Sequence, residues 1–136
     1  MDDCIFCKII KGEIPCQKVY EDNKVLAFLD INPVNKGHAL VVPKKHSADL
    51  TEANDEDLAA VISACRKIAN ACMKGLGAEG VCLEANSKPA AGQIVMHTHF
   101  HVVPRWKNDG LRHWPGKKLS DEEMKKAQEA IKKALQ

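Results

Sequence analysis

The chain has 136 residues, of which 45% are hydrophobic, and its formal net charge at neutral pH is +2. This length suits one domain with its own core, and the apolar fraction argues against a disordered chain. The near balance of charge gives no support to nucleic-acid binding or to membrane attachment through bulk electrostatics.

The N-terminus shows no pattern of a secretory leader, because residues 1–3 are Met-Asp-Asp and no basic segment leads into an apolar one. No apolar run approaches the ~20 residues that span a membrane. We therefore expect a cytoplasmic protein, in which cysteines are reduced or bind metal. Three of the six cysteines lie in apolar patterns and are expected to be small buried side chains: Cys65, Cys72 and Cys82.

The first third of the chain predicts a short helix and three strands. Apolar residues at helical spacing in CIFCKIIKGEIP, ended by Gly12 and Pro15, predict a helix of about two turns. KVYED and KVLAFLD predict two strands joined by a turn at Asp22 and Asn23. The turn formers of INPVNKG then lead to HALVVP, which is apolar enough for a buried strand.

The rest of the chain adds two helices and two strands. Apolar residues at steps of three and four predict a long amphipathic helix over 55–76, ended by glycines. GVCLEAN predicts a strand, which the loop SKPAAGQ follows. Ser120 and Glu123 form the pattern of a capping box and predict the start of a last helix. Strands follow one another without crossover helices, so we expect an α+β fold: an antiparallel sheet of about five strands with the long helix packed on it.

The segment MHTHFHVVPRW, residues 96–106, holds three of the six histidines. In a strand, residues two apart share a face, so His97, His99 and His101 would project together with α-carbons about 6.6 Å apart. The residues of opposite parity would point into the core: Met96, Thr98, Phe100 and Val102.

Three interpretations of these histidines stay open on the residues alone. They are accidental surface polarity, a metal site, or covalent catalysis. In the last case one imidazole attacks the substrate while its neighbours orient it and stabilise the developing charge.

The motif HTHFHVV resembles the signature of the histidine triad (HIT) family. Similarity extends through CIFCKIIKGEIP, EDNKVLAFLDINPVNKGHALVVPKKH and AGQIVMHTHFHVVPRW, and HWPG at 113–116 is similar to the tail of the Hint branch. The resemblance implies one HIT domain over 1–136, with a core at 4–106 and a tail with a helix at 107–136. It also implies a homodimer that extends the sheet, with the long helix and the GVCLEAN strand at the interface.

The resemblance implies catalysis at the α-phosphate of a nucleotide. His99 would be the nucleophile, His101 would hydrogen-bond the α-phosphate, and Asn86 would lie near both. Asp30 would hold the ribose hydroxyls; the alternative is an aspartate that caps a helix or a turn.

The nucleotide pocket that the resemblance implies also has an apolar slot and a phosphate loop. The slot would accept the base, although core packing explains its residues equally well: Phe6, Ile9 and Leu29. Ile31 would lie beside Asp30 as a further nucleotide-binding residue. The loop would present backbone N–H groups, and the amide of Gln93, to phosphate oxygens: Gly92, Gln93 and Ile94. Two residues depart from the family pattern, because Lys88 stands where relatives often have glycine and Ile94 where the Hint branch has serine.

The pair Cys4 and Cys7 is a weak metal signal alone. The resemblance joins these cysteines to His46 and His97 as a Cys₂His₂ zinc site. Four protein ligands leave no open coordination position, so such an ion would be structural and not needed for the chemistry. The alternative is two reduced, half-buried thiols.

The function that the resemblance implies is hydrolysis of AMP-linked purine nucleoside phosphoramidates through a covalent nucleotidyl-histidine, and the expected ligand is a purine nucleotide: AMP, GMP or a related compound. Three alternatives remain: a dinucleoside polyphosphate hydrolase, a nucleotide-binding signalling or scaffold protein with incidental catalysis, and a metal-dependent enzyme that uses all three triad rings. Neither nucleic acid nor a membrane is expected as a partner.

Overall fold

Five antiparallel strands form one sheet in the computed structural model, which describes residues 3–136. The strands are Lys18–Glu21 (β1), Val25–Leu29 (β2), Ala39–Pro43 (β3), Gly80–Glu84 (β4) and Phe100–Arg105 (β5). Their order across the sheet is β1-β2-β3-β5-β4. The helices are Ile5–Ile10 (α1), Asp55–Leu76 (α2) and Asp121–Leu135 (α3). The predicted α+β class is therefore confirmed.

The centre of the sheet is covered on both faces. On one face Val25, Val41 and Val102 pack against the apolar stripe of α2. On the other face Leu26 and Val42 pack in a second cluster around α1. This double burial explains why VLAFL and ALVVP read as continuous apolar runs rather than alternating ones.

Local signals set the ends of α2. The side chain of Asn54 accepts a hydrogen bond from the backbone N–H of Asp57 at the first turn. Gly77 takes the left-handed conformation with φ +67° and donates its N–H to the carbonyl of Cys72. The predicted span of 55–76 is confirmed.

Helix α3 lies outside the core. The predicted capping box is present, because Ser120 and Glu123 exchange side-chain and backbone hydrogen bonds. No residue of α3 is buried. Among residues 3–136, no helix has both the length and the apolar character needed to cross a bilayer.

The histidine segment differs from the predicted strand. β5 begins only at Phe100, and the chain bends at Val95, Met96 and His97. The backbone N–H of Thr98 donates to the carbonyl of Ser47 at 2.8 Å rather than to a neighbouring strand, so the ladder stops before it reaches His97. The side chain of Met96 is exposed, which contradicts its predicted place in the core, whereas Thr98, Phe100 and Val102 are buried.

The prediction for the cysteines was right for two residues and wrong for one. Cys65 and Cys72 are buried on the apolar stripe of α2. Cys82 is exposed, because β4 lies at one edge of the sheet.

Candidate active site and metal centre

A cleft of about 1020 Å³ opens on the α1 face of the sheet. This volume is at the upper end of the roughly 300–1,000 Å³ that is typical of small-molecule sites. Ten of the eleven residues predicted to bind nucleotide line it: Phe6, Ile9, Leu29, Asp30, Ile31, Asn86, Gly92, Ile94, His99 and His101.

His99 lies at the cleft with its tautomer fixed. Its Nδ1 lies 2.6 Å from the carbonyl oxygen of His97, and since a carbonyl can only accept, Nδ1 carries the hydrogen. The second nitrogen, Nε2, therefore keeps its lone pair. Burial lowers the pKa of the His99 imidazole, with the bond to His97 acting in the opposite direction. A neutral ring with a free lone pair is the form that a nucleophile needs.

His101 is oriented by a second histidine. The backbone N–H of Val34 donates to Nδ1 of His38, so the hydrogen of His38 is on Nε2. That Nε2 lies 2.9 Å from Nδ1 of His101 and donates to it, which leaves the hydrogen of His101 on Nε2. The rings of His99 and His101 lie 5.1 Å apart between centroids. A lone pair and an N–H donor therefore stand side by side.

His38 was not among the site residues predicted from the sequence. It is buried, and its hydrogen-bond partner His101 is a predicted site residue. One feature of the sequence could have indicated this contact: His38 immediately precedes β3, which pairs with β5, the strand of His101.

Asp30 has one oxygen engaged in the turn that follows β2. Its Oδ1 accepts the backbone N–H of Asn32 at 2.8 Å, as in a turn cap, and Oδ2 lies 3.6 Å from Nε2 of His38. Asp30, His38 and His101 are close enough to share a metal ion. The nitrogens that face one another there are, however, already donor and acceptor in the His38–His101 hydrogen bond.

The loop before the histidine segment brings Asn86 and Gly92 together at the cleft. Gly92 has φ +95°, and a side-chain carbon at that position would lie 3.7 Å from the amide nitrogen of Asn86. The N–H groups of Gly92 and Gln93 donate to carbonyls within the loop, those of Pro89 and Lys88. The loop therefore offers fewer free backbone donors than predicted.

Gln93 does not lie where the sequence placed it. Its side chain is buried away from the cleft, accepting from the N–H of Lys88 and donating to the carbonyls of Ala48 and Val95. A glutamine amide has two donors and one acceptor oxygen, and all of them are engaged within the protein. Gln93 therefore holds the loop in place and does not present its amide to a phosphate.

The predicted metal ligands come together at the N-terminal end of α1. Ligand atoms of Cys4, Cys7, His46 and His97 all lie within 4.8 Å of one another. The Nε2 of His97 donates to the carbonyl of Pro43 at 2.8 Å, so its Nδ1 carries a lone pair that faces the cluster. Burial is the main cause that lowers the pKa of His97, to about 4, and keeps this ring neutral.

The spacing of this cluster fits a tetrahedral ion. Cys4 Sγ lies 3.4 Å from His97 Nδ1, and Cys7 Sγ lies 3.4 Å from His46 Nδ1. Zinc with Zn–S near 2.3 Å and Zn–N near 2.05 Å would separate sulfur and nitrogen ligands by about 3.6 Å. Because His97 belongs to this cluster, the three triad rings do not converge on one ion.

Comparison with known proteins decides the family. A model of the HIT domain matches residues 11–108. The chain belongs to the histidine triad (HIT) family. It is 44% identical over 130 residues to the adenosine 5′-monophosphoramidase hnt1 of Schizosaccharomyces pombe, which is 94% of this chain and 95% of that protein.

Two further HIT relatives bear on the site. The adenylylsulfatase HINT3 of Arabidopsis thaliana is 43% identical over 129 residues, which is 95% of this chain and 64% of that protein. A zinc-bound histidine triad family protein of Mycobacterium smegmatis superposes with a TM-score of 0.79 at 40% identity, covering 86% of this chain and 85% of that one.

The tail that follows β5 also reaches the cleft. Leu111, Arg112, His113 and Trp114 line its rim, although the tryptophan is 84% exposed. The tail therefore borders the cleft without closing it.

We expect the His38–His101 pair to make the free energy of unfolding depend on pH. Burial lowers the pKa of both rings, which the charges of Asp30 and Glu84 only partly oppose. The ordinary pKa of histidine is about 6.5. Below that pH the unfolded chain binds protons at His38 and His101, whereas the folded chain binds fewer protons there because both pKa values are lowered. The free energy of unfolding should therefore fall as the pH drops from 7 towards 5.

Urea unfolding across this pH range measures the effect. His38→Gln, which keeps an amide donor but cannot titrate, should show a shallower fall than the unsubstituted protein. Equal slopes for the two proteins would show that His38 does not resist protonation in the folded state.

Proposed function

We propose that this HIT protein hydrolyses purine nucleoside phosphoramidates at the α-phosphate through a covalent nucleotidyl-His99. The observation that carries the proposal is the pairing of a free lone pair on His99 with an N–H donor on His101 at one cleft. This pair provides a nucleophile and a donor for the negative charge that develops on a phosphoryl oxygen. The relatives hnt1, an adenosine 5′-monophosphoramidase, and HINT3, an adenylylsulfatase, support an AMP-linked substrate.

The reaction has two steps. Nε2 of His99 attacks the α-phosphorus, the bond from phosphorus to the leaving amine breaks, and the amine takes up a proton. Water then attacks the nucleotidyl-His99, the bond from phosphorus to nitrogen breaks, and AMP and a proton are released. During both steps the Nε2 hydrogen of His101 is donated to a non-bridging oxygen, while Asn86 lies close to the reacting groups.

The nucleoside would lie between an apolar wall and a carboxylate. We assign the base to the slot formed by Phe6, Ile9, Leu29 and Ile31, and the ribose hydroxyls to Asp30. The turn bond of Asp30 uses one lone pair of Oδ1, so further acceptor sites on the carboxylate remain for the hydroxyls. Gly92 and Ile94 would border the phosphate.

We further propose that the zinc held by Cys4, Cys7, His46 and His97 is structural. The donor set and its spacing fit a tetrahedral ion with no open position. An ion bound there would tie α1 to the histidine segment, since the cysteines come from the start of α1 and His97 precedes β5.

A homodimer is also part of this proposal. β4 is an edge strand with Leu83 49% exposed, and the neighbouring helix α2 exposes Ile62 and Met73. A second copy against these surfaces would extend the sheet and cover the apolar side chains. Light scattering after gel filtration should report twice the chain mass, and a monomer at all concentrations would contradict this part.

A parallel substrate panel tests the proposed reaction. Adenosine 5′-phosphoramidate, adenylyl sulfate and a diadenosine polyphosphate are incubated separately with the protein, and AMP release is followed. The phosphoramidate should give the highest kcat/KM. A higher value for the diadenosine compound would favour a dinucleoside polyphosphate hydrolase, and no turnover of any compound would contradict an enzyme of this class.

A further inference from the structure

Lys88 has a backbone conformation that belongs to glycine. Its φ of +77° and ψ of 154° lie in a region where a side chain is strained. Lys88 and Asn108 are the two non-glycine residues with positive φ in the part of the chain that the structure describes. Lys88 lies between Asn86 and Gly92, both of which line the cleft. Such strain persists only where surrounding contacts enforce it.

Lys88 forms an ion pair with a buried carboxylate. Nζ of Lys88 lies 2.9 Å from Oδ2 of Asp49, and the Asp49 side chain is only 2% exposed. The other oxygen of Asp49 accepts the backbone N–H and the hydroxyl of Thr51. The bonds from Thr51 and Lys88 lower the pKa of the Asp49 carboxyl to about 2 and keep it charged. The cation thus has a fixed partner on a separate segment.

A second link runs parallel to the ion pair. The backbone N–H of Lys88 donates to Oε1 of Gln93 at 2.7 Å, and Nε2 of Gln93 donates to the carbonyl of Ala48 at 2.7 Å. The carbonyl of Lys88 accepts from the N–H groups of Ala91 and Gln93. Lys88 is therefore the point at which the loop closes on itself and on residues 48–49.

The same segment also holds the histidines. Ser47, two residues before Asp49, accepts the N–H of Thr98 at 2.8 Å, and its hydroxyl bonds the hydroxyl of Thr98 at 2.7 Å. Thr98 stands between His97 and His99. Residues 47–49 thus connect the phosphate loop, through Lys88, to the nucleophile, through Thr98.

We propose that the Lys88–Asp49 ion pair is a clamp that fixes Asn86 and Gly92 relative to His99. Lys88 is a positioning residue, because its ammonium contacts Asp49 and Glu52 and does not line the cleft. The proposal rests on the proposed function, since it is the reaction at His99 that the loop serves. It also explains how lysine replaces glycine here: the ion pair holds a conformation that glycine would adopt without help.

Three substitutions at one position test the clamp. Lys88→Met keeps the length of the side chain but loses the charge, Lys88→Arg keeps the charge, and Lys88→Gly relieves the strain but removes the pair. Lys126→Met, on the exposed helix α3, is the matched control. With adenosine 5′-phosphoramidate, we expect Lys88→Met to lower kcat by roughly tenfold to a hundredfold, with KM little changed. Lys88→Gly should lose much less, because glycine adopts this conformation without the pair. Lys88→Arg and the control should stay near the unsubstituted rate.

Amide hydrogen exchange tests the clamp independently of catalytic activity. The amides of Ala91, Gly92 and Gln93 should exchange faster in Lys88→Met than in the control, whether or not the phosphoramidate is a substrate. If the unsubstituted protein does not turn over this compound, the proposed function fails while the exchange data still decide the clamp.

Two results would overturn the clamp: unchanged kcat and exchange in Lys88→Met, or equal loss in Lys88→Arg and Lys88→Met. Thermal unfolding identifies any variant that fails to fold. If Lys88→Met does not fold, Asp49→Asn replaces it, because this substitution removes the charge of the other partner in the ion pair. The same results are expected.

Discussion

His99→Ala is expected to lower kcat by roughly 10⁴-fold or more, as loss of the nucleophile does in other enzymes with covalent intermediates. The substitution removes the Nε2 lone pair on which the proposed reaction depends. AMP should still bind, because the apolar slot, Asp30 and the His38–His101 pair are separate from this ring. Stopped assays of AMP release measure the rate, and calorimetry with AMP measures the affinity.

His99→Gln controls for packing. The ring of His99 lies 5.1 Å from that of Phe6 and is buried, so alanine leaves a void beside the base slot. Glutamine fills more of that space, and its amide can donate to the carbonyl of His97 as Nδ1 does now. Both variants should be equally inactive. Turnover by His99→Gln near the unsubstituted rate would show that this nitrogen does not attack phosphorus.

The covalent intermediate gives an independent readout. Intact-mass measurement after rapid mixing with adenosine 5′-phosphoramidate should show one adenylyl adduct on the unsubstituted protein and none on His99→Ala. The same variant separates enzyme from scaffold, because a scaffold should keep its biological effect when it binds AMP without turnover.

Features encoded by neighbouring residues were predicted from the sequence. The boundaries of α2 follow from its apolar stripe, its cap at Asn54 and the left-handed Gly77, all of which act within one or two turns. The capping box of α3 is local in the same way. The metal cluster and ten cleft residues came instead from resemblance to a family, since nothing local indicates that Cys4 meets His97.

Features that depend on distant partners were predicted incorrectly. The alternation of histidines favours a strand, but Thr98 bonds to Ser47 and the ring of His97 to Pro43, so the chain bends before β5 begins. The exposure of Cys82 depends on which strand lies at the edge, and strand order is a property of the whole sheet. The burial of Gln93 likewise depends on Ala48, forty-five residues away.

Removing the metal is expected to act on stability rather than on the reacting groups. Elemental analysis should find one zinc per chain, and Cys7→Ala should abolish it. A ligand at a thousand times its Kd stabilises the folded state by about 4 kcal/mol, so chelation should lower the unfolding midpoint by several degrees or more. Activity per folded molecule should change much less, because the proposed steps run through His99 and His101.

Cys82→Ser is the matched control for the zinc ligands. It also removes a thiol, but Cys82 is exposed on β4 and is not part of the ligand cluster, so zinc content and unfolding midpoint should both be retained. Chelation is then carried out below the midpoint of the zinc-depleted protein. Loss of turnover there, with the fold intact by circular dichroism, would mean that the ion takes part in catalysis, because a purely structural ion acts only through the folded fraction.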